Sequence, residues 1–291
     1  MMELQLDFKK DWILSLRQTL ESNLGYKRIE EISDEDIPIL FWNAKSRLLD
    51  SKPRKVVLSD TFICPEEHLH GWLRLQKVIE SGQDIKPNLS RLVTQITVLD
   101  QMLNDWGVHH FHLGVKIKSK FVKRTGPLLF ALVTKDIFYA IGVYNHDDWV
   151  NADVVETVHR NWPEAISRYR VNGIQPDDGF TEAERATIRD KHANAFFNTS
   201  DGTVYAPIGG GVVASGVNLK AVMDTDVKLD FLEKLQEHLI SNTASFSQVL
   251  SDKGYDGVSP LIAKLKIIDE NEYYAFFEDY SVAVLLYSEN D

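Results

Sequence analysis

The sequence predicts an α+β protein with a helical N-terminal part, a central small antiparallel sheet with packed helices, and a C-terminal α+β part. Two observations support this fold class. Apolar residues recur at helical spacing over much of the first 85 residues. Three short runs rich in aromatic and β-branched residues follow one another between residues 108 and 145, as expected for neighbouring strands.

The chain is long enough for more than one domain. It has 291 residues, of which 44% are hydrophobic, so it can bury a large core. Turn-forming KPN and NGIQPDDG segments begin at Lys86 and Asn172. We therefore predict a mainly helical region over 1–85, a central α+β unit over 86–171 and a C-terminal α+β region over 172–291.

The N-terminal region is predicted to hold three helices and one short strand. Helical spacing covers residues 8–24 and 34–49, and KVVL at 55–58 is typical of a strand. Pro65 and Gly82 then mark the start and the end of a third helix, since proline suits a first turn and glycine suits the position after a last turn.

The central unit is predicted as a helix followed by three strands. The helix runs from Ser90 to residue 106 and ends at Gly107. The strands cover 108–115, 127–133 and 137–145, and the last two form a hairpin. A short helix at residues 152–159 closes the unit.

The C-terminal region is predicted to be helical first and then extended. Thr181 and Glu184 form the capping-box pattern at the start of a helix predicted over 181–197. Residues 219–250 are again helical in spacing, and the tail alternates as two or three strands.

Composition restricts the classes of function. A net charge of −11 argues against loose binding of nucleic acid over the whole surface, because that mode needs an excess of Lys and Arg. The lone Cys64 allows no intramolecular disulfide and no metal site built on thiolates. No long apolar run and no signal-peptide pattern occur, so we expect a cytoplasmic protein with no membrane partner.

One segment is strongly basic in spite of the acidic total. VKIKSKFVKR, residues 115–124, contains no acid. Its cations are Lys116, Lys118, Lys120, Lys123 and Arg124. Such a patch is suited to RNA phosphates, and we predict the four lysines as substrate-binding residues. The alternative is an ordinary solvated loop.

The segment DWGVHHFHLG, residues 105–114, concentrates the chemistry of the chain. Strand alternation places His110 and His112 on one face and His109 on the face of Phe111. The Phe111 face is the predicted core side, so His109 is expected to be buried and hydrogen-bonded. His110 and His112 are expected to project from the open face.

Paired imidazoles beside a cation are the groups that ribonuclease chemistry without a metal requires. One imidazole accepts the proton of the 2′-hydroxyl, the other protonates the leaving 5′-oxygen, and a cation stabilises the phosphorane. The candidate catalytic residues are His110, His112, Arg124 and His146, which ends the third predicted strand. This hypothesis needs no cofactor and no metal.

The order helix, strand, basic connection, hairpin and short helix over residues 90–158 resembles the RelE/ParE-type toxins. The carrying segments are VHHFHLG and GPLLFALVTKDIFYAIGVYNHDDW. The resemblance implies a messenger-RNA-cleaving protein in which His110, His112, Arg124 and His146 stand where such enzymes bind or cleave RNA. The chain departs from that family in its length, its acidity and the HDDW that ends the last strand.

Two other classes of function stay open at the sequence level. A non-enzymatic interaction or regulatory protein would use the same surface to bind a protein partner. A metal-binding protein would combine the imidazoles of His110, His112 and His146 with Asp147 or Asp148, which are suitable ligands for Zn²⁺ or Fe²⁺.

Overall fold

The computed structural model of the protein describes residues 3–146, 148–175, 178–269 and 271–289. Its α-helices are α1 Phe8–Gln18, α2 Asp36–Arg47, α3 Glu66–Glu80, α4 Gln101–Trp106, α5 Asp153–Asn161, α6 Pro163–Ile166, α7 Glu182–Asp190, α8 Leu219–Ser241 and α9 Ala244–Asp252. Its strands are β1 Leu4–Gln5, β2 Lys55–Leu58, β3 Val108–His112, β4 Ile117–Lys118, β5 Phe121–Val122, β6 Leu128–Val133, β7 Ile137–Tyr144, β8 Arg170–Val171, β9 Phe197–Asn198, β10 Val204–Tyr205, β11 Leu261–Ile262, β12 Lys264–Ile268, β13 Glu272–Phe277 and β14 Val282–Ser288. The predicted α+β fold class is confirmed.

The chain forms two compact units that differ from the three predicted segments. One unit combines 1–41 with 223–291, and the other spans 42–222. Pairing between distant strands explains the difference from the predicted 1–85, 86–171 and 172–291. Strand β2 pairs in parallel with β7, and β1 pairs in parallel with β11. The predicted linker at 172–179 lies inside the second unit, and its residues 176 and 177 lie outside the described residues.

The unit of residues 1–41 and 223–291 contains a three-stranded antiparallel sheet in the order β12-β13-β14. Helix α1 buries Phe8 and Trp12, and its Asp11 carboxylate accepts a hydrogen bond of 2.8 Å from the Leu265 backbone N–H at β12. Phe246 of α9 packs against Phe277 of β13, with ring centroids 5.5 Å apart. The predicted strands of the tail are thus present.

The unit of residues 42–222 is built around a four-stranded sheet in the order β2-β7-β6-β3. Strands β7, β6 and β3 are antiparallel, and β2 adds in parallel to β7. One face packs on side chains of α4 and α5, such as Trp106 and Val155. The other face packs on α3, including Trp72 and Leu75. Both faces of the sheet are therefore covered by helices.

The predicted helix from Ser90 to residue 106 is wrong over its first half. A 3-10 turn covers Arg91–Thr94, and helix α4 begins only at Gln101. The sequence LVTQITV in this stretch is rich in β-branched residues, which lose side-chain freedom in a helix. The Asp100 carboxylate starts α4 by accepting a hydrogen bond of 3.0 Å from the Leu103 N–H.

Other predicted elements agree more closely with the structure. Strand β2 has the predicted bounds, and β3, β6 and β7 lie within the predicted runs. The Thr181 capping box is present, but α7 ends at Asp190 rather than at residue 197. No helix in the described ranges is both long and apolar enough to cross a membrane.

Candidate active site

A cavity of about 430 Å³ lies beside strand β3 in the unit of residues 42–222. We call it the histidine cavity. All four predicted catalytic residues line it, together with the unpredicted Asp100, Trp149 and Arg189. The lining includes the side chains of Asp100, His109, His110, His112, Arg124, His146, Trp149 and Arg189. The structure thus brings together residues from Arg47 to Arg189, which are 142 positions apart in the chain.

The position of the cavity follows from the position of β3 at the edge of its sheet. Strand β6 pairs with one side of β3. On the other side, the side-chain amide of Asn88 donates a hydrogen bond of 2.7 Å to the His112 carbonyl oxygen. The segment that begins at Asn88 continues through Ser90 and Val93, which line the cavity, to Asp100. This irregular segment therefore forms a wall that a regular helix would not provide.

His110 is paired with a carboxylate inside the cavity. Its Nδ1 lies 3.6 Å from Oδ2 of Asp100, and the two side chains are only 16% and 21% exposed. The other oxygen of Asp100 caps α4 through Leu103, which fixes the carboxylate in place. Burial lowers the pKa of His110, while the charge of Asp100 opposes that shift. His110 is therefore held neutral next to a group that would stabilise its protonated form.

His112 is a neutral imidazole with a defined tautomer. Its Nδ1 accepts a hydrogen bond of 3.3 Å from the Thr125 backbone N–H, so its own proton lies on Nε2. Burial lowers the pKa of His112 to about 4, and the neighbouring His110 and Arg124 act in the same direction. Near neutral pH, His112 can donate a hydrogen bond from Nε2 but holds no extra proton.

His109 is buried and hydrogen-bonded, as its place on the Phe111 face predicts. Its Nε2 donates to the Ser46 carbonyl oxygen at 3.1 Å, because a carbonyl can only accept. Its Nδ1 is buried with no hydrogen-bond partner in the described part of the chain. Burial lowers its pKa to about 4. His109 is thus a neutral residue in the cavity wall.

His146 lies on the solvent side of the cavity. Its side chain is exposed, whereas His110 and His112 are largely buried. Trp149 contacts both residues, since its ring meets His110 edge-on at 4.7 Å and His146 edge-on at 5.2 Å between centroids. His146 therefore belongs to the same group of cavity residues as His110, and both contact Trp149.

The predicted open face of β3 is wrong. His110 and His112 share a face as predicted, but that face is covered, and His112 is only 6% exposed. The reason is that α4 and Trp149 pack over the face on which Phe130 lies next to His110 in the sheet. The two imidazoles thus face the histidine cavity and not an open sheet surface.

The predicted substrate-binding lysines lie outside the cavity lining. They are exposed on the small β4–β5 hairpin and its flanks, which we call the basic hairpin, residues 116–124. Its lysines are Lys116, Lys118, Lys120 and Lys123. Arg124, at the end of this segment, is exposed and lines the histidine cavity. The cavity and the hairpin therefore meet at Arg124.

The structure gives no support to the metal-binding alternative within the residues it describes. Across these ranges, no group of three or more His, Cys, Asp or Glu side chains is arranged to hold a metal ion. The Asp148 carboxylate accepts a hydrogen bond of 2.8 Å from the Asn145 backbone N–H. Asp147, the other predicted carboxylate ligand, lies outside the described residues.

Two cavity residues could not be assigned to the site from the pattern of the sequence. Asp100 carries a helix-capping signal, which predicts a structural role but not a histidine partner. Arg189 lies late in α7, nearly 80 residues after β3, and no local pattern relates it to the histidines.

Comparisons of the chain with protein-family models, with curated proteins and with solved structures gave no match. The geometry of the histidine cavity is therefore what indicates its chemistry.

Proposed function

We propose that the histidine cavity is the active site of a metal-independent enzyme that cleaves phosphodiester bonds in RNA, with His110 as the general base. The pairing of His110 with Asp100 inside a cavity that also holds His112, His146 and Arg124 carries this proposal. A toxin-like origin of this unit is part of the same hypothesis.

The Asp100–His110 pair is suited to the acceptance of a proton. A neutral imidazole accepts a proton through its unprotonated nitrogen, and an adjacent carboxylate then stabilises the imidazolium that forms. In RNA, the donor is the 2′-hydroxyl. Its oxygen attacks the adjacent phosphorus, the bond from phosphorus to the 5′-oxygen breaks, and a 2′,3′-cyclic phosphate forms.

The leaving 5′-oxygen needs a proton, and we assign its donation to His146. His110 and His112 are both held neutral, so neither carries a spare proton before the reaction. His146 is the imidazole on the solvent side of the cavity, and we place the proton donor there. This assignment changes the predicted acid–base pair from His110 and His112 to His110 and His146.

His112 and Arg124 are assigned to the stabilisation of charge on the phosphorane. The Nε2–H of His112 donates a hydrogen bond, and the guanidinium of Arg124 supplies positive charge. Preorganised donors of this kind need little rearrangement when the charge develops. The lysines of the basic hairpin would contact phosphates outside the cavity, which allows local RNA binding in an acidic protein.

A substrate with one reactive bond tests the proposal. A DNA strand with a single ribonucleotide is incubated with the purified protein in excess EDTA, and cleavage on the 3′ side of the ribonucleotide is followed by electrophoresis. We expect cleavage by the wild type and a loss of 100-fold or more in His110→Gln, on the scale of general acid–base catalysis. His70→Gln, at an exposed position of α3, is the matched control and should retain full activity.

Three outcomes of this experiment contradict the enzyme proposal. They are no cleavage by the wild type, equal cleavage by His110→Gln, and cleavage of the all-DNA strand. Binding of the strand without cleavage would favour the non-enzymatic alternative.

A further inference from the structure

Arg189 is a buried arginine with an unused donor. The residue is 7% exposed, and its Nη2 has no hydrogen-bond partner within the part of the chain that the structure describes. Its other nitrogens are occupied: Nε donates to Asp105 at 2.9 Å, and Nη1 donates to the Trp149 carbonyl oxygen. The guanidinium also lies 4.2 Å from the centre of the Trp106 ring. These contacts fix the orientation of the group.

The carboxylate nearest to Arg189 is shared with a second arginine. Asp105 Oδ2 lies 2.9 Å from Arg189 and 3.3 Å from Arg185, so one carboxylate serves two guanidinium groups. Both arginine side chains are only 5% exposed. A guanidinium stays protonated in proteins, and a buried charge is costly unless it is paired. Asp100 adds a second negative charge that acts on Arg189 without a hydrogen bond to Nη2, so the unused Nη2 donor is the group that an anionic ligand would occupy.

Arg189 also borders cavity space. It lines the histidine cavity and a second cavity of about 110 Å³ that is lined by His192, Asn194 and Gly211. By contrast, Arg185 lines neither cavity, and it also donates to the Phe196 carbonyl oxygen. The two arginines share one carboxylate, but only Arg189 is adjacent to cavity space.

We propose that Arg189 binds a terminal phosphate of the RNA strand, so that cleavage takes place close to a phosphorylated strand end. This inference rests on the proposed function. It assigns two different phosphates to two arginines: the scissile phosphate to the exposed Arg124 and the terminal phosphate to the buried Arg189.

Burial is the reason for the choice of a terminal phosphate over an internal one. A phosphodiester within a strand continues on both sides, so its binding site must be open in two directions. A terminal phosphate continues on one side only and can approach a side chain that is buried in a cavity wall. It also carries more charge, close to two negative charges near neutral pH, which suits an arginine whose nearest carboxylate is shared with another arginine.

The test measures binding of strands that cannot be cleaved. Short 2′-O-methyl oligonucleotides lack the nucleophile, and they are compared with a 5′-phosphate, with a 3′-phosphate and with neither, by calorimetry. A charged hydrogen bond contributes enough for about a tenfold or larger gain in affinity. We expect that gain for a phosphate at one end of the strand only, and the comparison of the 5′-phosphate strand with the 3′-phosphate strand identifies which end.

Two variants assign the gain to Arg189. Arg189→Lys keeps the positive charge but removes the Nη2 donor, so this variant should lose most of the gain in affinity. Arg185→Lys alters the other arginine on the same carboxylate and should keep the gain. Circular dichroism checks that both variants are folded. If Arg189→Lys does not fold, Asp105→Asn replaces it and should increase the gain, because it removes the competing carboxylate.

Equal binding of all three strands by the wild type would overturn the inference, and so would an unchanged gain in folded Arg189→Lys. Neither result touches the cleavage of unphosphorylated RNA, on which the proposed function is judged separately. A gain that depends on Arg189 in a protein without cleavage would retain the phosphate site and reject the enzyme.

Discussion

Acid should destabilise the unit of residues 42–222 through its buried histidines. The pKa values of His109 and His112 are both lowered to about 4 by burial, whereas a histidine in an unfolded chain titrates near 6.5. Between these values the unfolded chain binds more protons than the folded chain. The contribution to stability is therefore present above pH 6.5 and is lost as the pH falls toward 4.

The size of the loss follows from the two pKa values. Between pH 7 and pH 5, each of the two histidines should reduce the free energy of unfolding by at most about 2 kcal/mol. Together they account for up to roughly 4 kcal/mol, a large part of the 5–15 kcal/mol that is typical of folded proteins.

Urea unfolding at pH 7 and pH 5, followed by tryptophan fluorescence, measures this loss. Five of the six tryptophans, Trp12 being the exception, lie in the unit of residues 42–222, so the signal reports mainly on that unit. His112→Asn keeps an acceptor for the Thr125 N–H and His109→Gln keeps a donor for the Ser46 carbonyl, while neither titrates. The double variant should lose the part of the pH dependence that these two imidazoles carry, while His110, whose pKa burial also lowers, keeps its own share. An equal decrease in stability in wild type and variant would refute the reasoning.

Three further predictions concern single features of the fold and the site. Asp100→Asn should change the free energy of unfolding by less than about 0.5 kcal/mol, because asparagine also caps helices. The same variant should reduce kcat by about tenfold or more, and an unchanged kcat would show that Asp100 takes no part in catalysis. Gly71→Ala should reduce the free energy of unfolding by about 2 kcal/mol or more, since its Cβ would lie 1.7 Å from a backbone oxygen. Gly126→Ala is the control and should be tolerated, because no atom lies within 4 Å of its added Cβ. Equal urea midpoints for the two variants would contradict this prediction. Replacement of the four lysines of the basic hairpin by glutamine should reduce the slope of log binding constant against log salt concentration by up to about three. Lysine-to-glutamine changes at the exposed Lys9 and Lys10 should leave that slope unchanged. Equal slopes for the hairpin variant and the wild type would show that the hairpin does not bind RNA.

The strands of the central sheet could be predicted because their sequences carry the signal themselves. The runs PLLFALV and IFYAIGVY are apolar on both faces and are bounded by turn residues. The same property explains the wrong prediction of an open face at His110 and His112. Alternation identifies which residues share a face, but it does not show whether a distant helix covers that face.

The residues of the site could be predicted only in part, because their grouping depends on long-range contacts. His110, His112, Arg124 and His146 were accessible from residue type and local order. Arg189 comes from a helix far along the chain. The division into units depends in the same way on the pairing of β1 with β11 and of β2 with β7. Parallel pairing between strands so far apart in the chain leaves no local sequence pattern.

Asp100 has two tasks, since one oxygen holds the first turn of α4 and the other faces His110. Fraying of this six-residue helix would therefore release the partner of the proposed base while the rest of the sheet stays intact. Heat should inactivate the protein before it melts. The temperature at which the amides of α4 begin to exchange with solvent would then set its working limit.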